Sequence, residues 1–184
     1  MTGRALLLTG GLATGKTTVA KEVVAIASVV GLNVAAIDLD WLCWTTPSTV
    51  GVDALIAQNL AAVAANFAAA GVDHLVLARG IVSPGGLKEL AAAIPGWDLS
   101  VVRLVALRPT VEQRIRARDS GAELQAHLAE LDDISHRVAE ATPQAHVVVN
   151  DQRDLGDLAR EVMRSAHWID DQDVTEPGRP EPVT

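Results

Sequence analysis

The sequence predicts an α/β protein three layers deep, with five parallel strands in one sheet and helices on both faces. Three observations carry this. Short apolar runs without polar alternation, the pattern of strands buried on both faces, recur along the chain. Segments with apolar residues at helical spacing separate them, and such alternation builds right-handed crossover units on a parallel sheet. The composition is 49% apolar with four Trp, one Phe and no Tyr, which suits small side chains between helices and sheet better than an aromatic-rich β sandwich. At 184 residues, one core is expected.

Arg4–Thr9 (RALLLT) is the first predicted strand, and after a glycine-rich turn a helix runs from Lys16 to Val30, stopped by Gly31 and Asn33. Asn33–Asp38 is the second strand, and the Ala-rich stretch Val52–Ala70 is helical until Gly71. Asp73–Ala78 is the third strand, Gly85–Ala93 a short helix, Ser100–Leu107 the fourth strand and Thr110–Asp119 a helix entered through Pro109. Glu123–Ala141 is polar and helical, His146–Val149 is the fifth strand, and a last helix runs from Leu155 to about Trp168. A folded domain over 1–169 is expected. From Asp170 to Thr184 the acidic, Pro-rich composition buries too little apolar surface to fold and predicts a flexible tail.

Charge and cysteine content narrow the function classes. Lys plus Arg number 15 against 23 Asp plus Glu, and the net charge of −8 repels a polyanion, so nucleic acid is not an expected partner. Cys43, the single cysteine, leaves no internal disulfide and no cysteine-cluster metal site, as expected of a reducing, cytoplasmic compartment. The N-terminal segment lacks the pattern of a cleaved leader. Val19–Leu32, read as the most apolar helix, is interrupted by Lys21 and Glu22 and too short for a bilayer, so no membrane span is expected.

Gly10-Gly-Leu-Ala-Thr-Gly-Lys-Thr17 fits G-x-x-x-x-G-K-[ST] and lies between a predicted strand and a predicted helix, the context a phosphate-binding P-loop requires. Glycines permit backbone conformations in which successive N–H groups face phosphate oxygens. Gly11, Ala13, Thr14, Gly15, Lys16, Thr17 and Thr18 are the candidate nucleotide-binding residues. Lys16 reaches the β and γ phosphates, the Thr17 hydroxyl can ligate Mg²⁺, and the helix N-terminus adds partial positive charge. Asp38 and Asp40 follow the second strand. Alternation along an extended chain puts both carboxylates on one face at the strand's carboxyl end, where open α/β sheets bind ligands. One can hold the magnesium shell and the other accept the proton of an attacking hydroxyl; capping of a helix from Trp41 onward is the other use for them.

Phosphoryl transfer rests on positioning and charge neutralisation. Arg114 and Arg118 share a helix face and can cover a nucleotide, while Arg116 points away. Arg79 ends the third strand, where it can grip an anionic or hydroxylated substrate. No acid ends that strand, so metal support falls on Thr17 and Asp38. Trp41 and Trp44 either wall a substrate ring or pack on the Ala-rich helix, and Cys43 between them reads as a small hydrophobe. The five histidines show no metal-ligand spacing, His127 and His136 lie on different helix faces, and none receives a role.

From GGLATGKT, IDLDWL, LARG and LRPTVEQRIRARD, the chain over about 3–168 resembles the P-loop small-molecule kinases of the nucleoside monophosphate kinase superfamily, in their shikimate kinase, gluconate kinase and chloramphenicol phosphotransferase-like branch. The resemblance implies a P-loop NTPase fold with a helical lid over about 115–140, ATP and Mg²⁺, and a small-molecule hydroxyl as acceptor. It implies that Asp40 deprotonates the acceptor and Asp38 stands on the magnesium side, or the reverse. It further implies that Arg114 stacks on adenine, that Arg118 belongs to the lid, that Asn150–Asp154, with Arg153, borders the base, and that Asp40 and Arg79 meet the substrate, beside the Trp41 wall read from the residues. The glycine run of the shikimate branch is absent after Arg79-Gly80. An antibiotic or nucleoside-like acceptor fits the acids and tryptophans, on a monomer or homodimer. An NTP-hydrolysing switch and a non-catalytic nucleotide-binding protein are the rival expectations.

Overall fold

A computed structural model describes residues 3–45 and 51–170. The tail expected beyond Asp170 lies outside the described residues. The elements are β1 (Gly3–Gly10), α1 (Lys16–Val29), β2 (Val34–Asp38), a 3-10 turn (Leu39–Leu42), α2 (Val52–Ala69), β3 (His74–Ala78), α3 (Pro84–Ala93), β4 (Trp97–Val105), α4 (Arg108–Arg118), α5 (Gly121–Ala141), β5 (His146–Val149) and α6 (Leu155–Ser165). All strand pairs are parallel and the sheet order is β2-β3-β1-β4-β5. This is the predicted α/β three-layer architecture, with β1 in the middle of the sheet.

The unalternated apolar runs are explained by burial on both faces. Leu6 and Leu8 point into one core with Val19, Val23, Leu158, Val162 and Met163 of α1 and α6. Ala5 and Leu7 point the other way, into a core with Ile56, Leu60 and Leu90 of α2 and α3. Each fully buried leucine contributes roughly 1.5–3 kcal/mol relative to exposure. A third, small cluster of Val111, Ile115 and Leu131 joins α4 to α5 and packs against Leu12 and Ala13. The segment expected as a lid is therefore seated on the loop after β1.

Some boundaries differ from the expectation. β4 starts at Trp97, three residues early, because the indole ring lies over Gly3, where a Cβ would come within 2.4 Å of the ring. α6 ends at Ser165 rather than near Trp168: His167 takes φ 55° and the Trp168 N–H turns back to the Met163 carbonyl. Trp168 is thereby buried and meets His74 edge-on, with ring centroids 4.7 Å apart. Among the described residues, α2 rather than Val19–Leu32 is the one helix long and apolar enough by composition to cross a membrane. Alanines dominate it, and its Ile56, Leu60 and Ala64 are buried.

Candidate active site

β1 ends at the middle of the sheet's carboxyl edge, and residues 10–15 turn there into α1. Ala13 (φ 50°) and Gly15 (φ 94°) take the left-handed conformation. At Gly15 a side chain is excluded twice over, since a Cβ would lie 2.4 Å from Nδ2 of Asn150. Gly15 is also the N-cap of α1 and supplies no side-chain cap, so the first-turn N–H groups stay available to an anion. Three side chains brace the loop from behind. Thr14 Oγ1 donates to the Gly11 carbonyl (3.1 Å), buried Asn150 donates through Nδ2 to the Thr14 carbonyl (2.8 Å), and Arg114 Nη1 donates to the Ala13 carbonyl (3.3 Å).

Lys16 folds back so that Nζ donates to the carbonyls of Gly10 (3.1 Å) and Gly11 (2.8 Å). Burial lowers its pKa, against the opposing pull of the Asp40 and Asp38 carboxylates. Beside it opens a cleft of about 600 Å³ bordered by Lys16, Thr17, Thr18, Arg114, Arg118 and Arg153. Among the described residues its lining holds four cationic side chains and no carboxylate, a composition matched to a polyphosphate. Arg116 is exposed and outside that lining.

The acids stand on the other side of Lys16. Asp38 Oδ2 accepts from Thr17 Oγ1 at 2.7 Å, while its Oδ1 accepts from the Asp40 N–H at 3.2 Å and caps the 3-10 turn. Of the uses foreseen for the acid pair, capping is the one seen here, while the other oxygen of Asp38 holds the Thr17 hydroxyl. β2 stops at Asp38, so strand alternation does not govern Asp40, contrary to the sequence expectation. The turn instead brings Asp40 to Arg79, whose Nη1 donates to Asp40 Oδ1 at 2.7 Å.

Arg79, expected to grip an anionic or hydroxylated substrate, has its guanidinium already paired. Its Nη2 donates to Asp53 Oδ1 at 2.9 Å, so the guanidinium lies between two carboxylates and is not a free hook for an anion. Trp41 and Trp44 do not pack on α2 as buried side chains. They stack on each other at 4.5 Å and are 67% and 74% exposed. Cys43 is half-buried and packs against the α2–α3 core.

Arg118 borders the cleft but is held from behind: Nε and Nη2 donate to the two oxygens of Asp119 at 2.6 and 2.9 Å. His127 Nδ1 lies 2.7 Å from Asp119 Oδ2, so this histidine has a role the sequence did not assign. The Arg118 guanidinium, then His127, hold the Asp119 carboxyl well below the usual carboxylate range. Asp119, Glu123 and His127, spaced four apart, bring potential metal-binding atoms within 4.8 Å of one another, a spacing overlooked in the sequence. The Asp119 oxygens are already engaged by Arg118 and His127, in an ion pair with the first and a hydrogen bond with the second.

The segment Asn150–Asp154 splits. Asn150 is buried behind the loop and also receives Arg114 Nη2 on its carbonyl (3.2 Å), and Asp151 accepts from Thr110. Arg153 faces the cleft while pairing with Glu161 at 2.6 Å. Asp53, Asp119, His127 and the bracing role of Asn150 were missed in the sequence. Asp53 had one signal, an acid in the first turn of a helix, which reads equally well as a dipole partner.

No protein-family profile and no curated protein matches the sequence. Solved structures do. A sugar kinase from Janibacter sp. HTCC2649 superposes with a TM-score of 0.61 at 19% identity, over 95% of this chain and 99% of that one. An APS kinase from Mycobacterium tuberculosis, solved in complex with AMPPNP and APS, gives 0.58 at 20% identity over 90% and 98%. A tunicamycin resistance protein from Deinococcus radiodurans gives 0.60 at 13% identity over 88% and 94%. Sheet order, loop and first helix thus define a P-loop nucleotide-binding fold. Within that class, the fold is that of the P-loop small-molecule kinases.

Proposed function

We propose that this chain is an ATP-dependent phosphotransferase that moves the γ-phosphoryl group onto a hydroxyl of a small molecule, an antibiotic or nucleoside-like natural product. One observation carries the reading: Lys16, the Thr17–Asp38 pair and the Asp40–Arg79 pair meet on one rim of the sheet, with a cationic cleft beside them. The loop amides and Lys16 hold the β and γ phosphates, and Arg114, Arg118 and Arg153 offset charge along the nucleotide. Thr17 and Asp38 offer adjacent hard oxygen donors at 2.7 Å, a set that fits Mg²⁺. When bound there, the ion would neutralise phosphate charge.

Asp40, fixed by Arg79, takes the proton of the acceptor hydroxyl as its oxygen bonds to the γ phosphorus. The bond from that phosphorus to the β–γ bridging oxygen breaks, leaving a phosphate ester and ADP. A library of hydroxylated metabolites and antibiotics, incubated with ATP and Mg²⁺ and read by mass gain of one phosphate, tests this. Lys16→Ala and Asp40→Asn are each expected to lower turnover by roughly 10²-fold or more. Undiminished transfer by Asp40→Asn would remove the base, and lack of magnesium-dependent ATP binding would remove the kinase.

A further inference from the structure

The charges around Arg79 restrict what the acceptor can be. Its side chain is only 15% exposed and lies between Asp40 (60%) and Asp53 (47%). Each carboxylate uses one oxygen on the guanidinium, and among the described residues the second oxygen of each accepts no hydrogen bond. The trio therefore carries one net negative charge with two carboxylate oxygens available. Lys16, whose charge Asp40 feels, and Asp38, held on Thr17, carry opposite charges and together leave that balance at one net negative charge. A carboxylate or sulfate on the acceptor would meet repulsion there and, among the described residues, find no unpaired cation beside the trio.

Immediately after Asp40, Trp41 and Trp44 stack at 4.5 Å with an interplanar angle of 27° while exposing most of their surface. Two large exposed rings held against each other are not part of a core and offer an apolar surface to a ligand. Indole faces attract cations more strongly than other aromatic rings do. Carboxylate oxygens in excess of cations and exposed indoles select the same chemistry by independent routes.

We propose that the acceptor carries a protonated amine as well as the reacting hydroxyl, with Asp53 as the specificity-determining carboxylate and the Trp41–Trp44 pair as its aromatic wall. The inference rests on the phosphotransferase reading. Asp40 handles the hydroxyl; the ammonium binds at the Asp53 side of Arg79. Asp53 also keeps Arg79 neutralised, so its loss would both weaken amine binding and release a guanidinium for anions.

The test uses full-length protein, ATP and Mg²⁺ with matched alcohols: amine-bearing sugars and cyclitols, their N-acetyl derivatives, and carboxylate-bearing sugar acids. Phosphate gain is expected on amines, with KM about fivefold higher after N-acetylation, the upper end of the scale of one partly exposed charge pair. Asp53→Asn is expected to raise KM for amines by a similar factor and to improve sugar acids, while Asp53→Glu restores the amine preference and controls for folding. Sugar acids or neutral alcohols used as well as amines by the unmodified protein would overturn the inference. So would tight ATP binding with no amine phosphorylated. Loss of magnesium-dependent ATP binding itself would instead overturn the kinase reading.

Discussion

Gly15 illustrates how one residue couples chain conformation to ligand space. Its φ of 94° and the 2.4 Å approach of Asn150 Nδ2 leave no room for a methyl group. Gly15→Ala should therefore cost at least about 1–2 kcal/mol in stability and weaken ATP binding, measured by denaturant unfolding and nucleotide titration. Asp119 makes a pH-dependent prediction. Its carboxyl is held below the ordinary range, so on acidification the unfolded chain takes up the proton first. Its stabilisation is complete above about pH 5 and declines below it. Calorimetry should find Asp119→Asn melting below the unmodified protein at pH 7, with the gap narrowing at pH 3.

At the scale of elements, the strand, glycine loop and helix over 3–29 were legible in the sequence, because the motif's glycines sit between the apolar stretch Ala5–Leu8 and a helical pattern. Asp40 was found by a strand rule that does not apply to it; a 3-10 turn delivers it to Arg79 instead. Asn150, 136 residues from Thr14, and Asp53, 26 residues from Arg79, could not be read from local pattern, since their partners are set by strand order. The helix starts depend on short capping contacts. Asp154 accepts from the Asp157 N–H at 3.0 Å to open α6, and Asp154→Ala should cost about 1 kcal/mol in urea unfolding. That loss would propagate to Arg153 at the cleft, one residue before the cap.

For the whole molecule, the sheet separates two cores that share strands but face opposite helical layers. Leu8 belongs to one and Leu60 to the other. Each →Ala change should cost about 2–5 kcal/mol, and the double variant should sum to within about 0.5 kcal/mol if the layers respond independently. The cleft depends on contacts from β1, α1, α4 and the segment after β5, so its occupant should stabilise the whole fold. At a free AMPPNP concentration of about 100 times its Kd, with Mg²⁺, linkage contributes about 2.7 kcal/mol, or roughly 5–11 °C in Tm. An unchanged melting curve would argue against a nucleotide in this cleft.

The four tryptophans fall in two contrasting environments. Trp41 and Trp44 stand in water beside Asp40, whereas Trp168 is buried against His74 and Trp97 is half-buried over Gly3. Intrinsic fluorescence should accordingly divide into a long-wavelength component from the exposed stack and a short-wavelength one from the interior. Quenching by caesium ions would report on the first pair while leaving Trp168 to register global unfolding, so one label-free emission spectrum can follow local occupancy and cooperative melting at once.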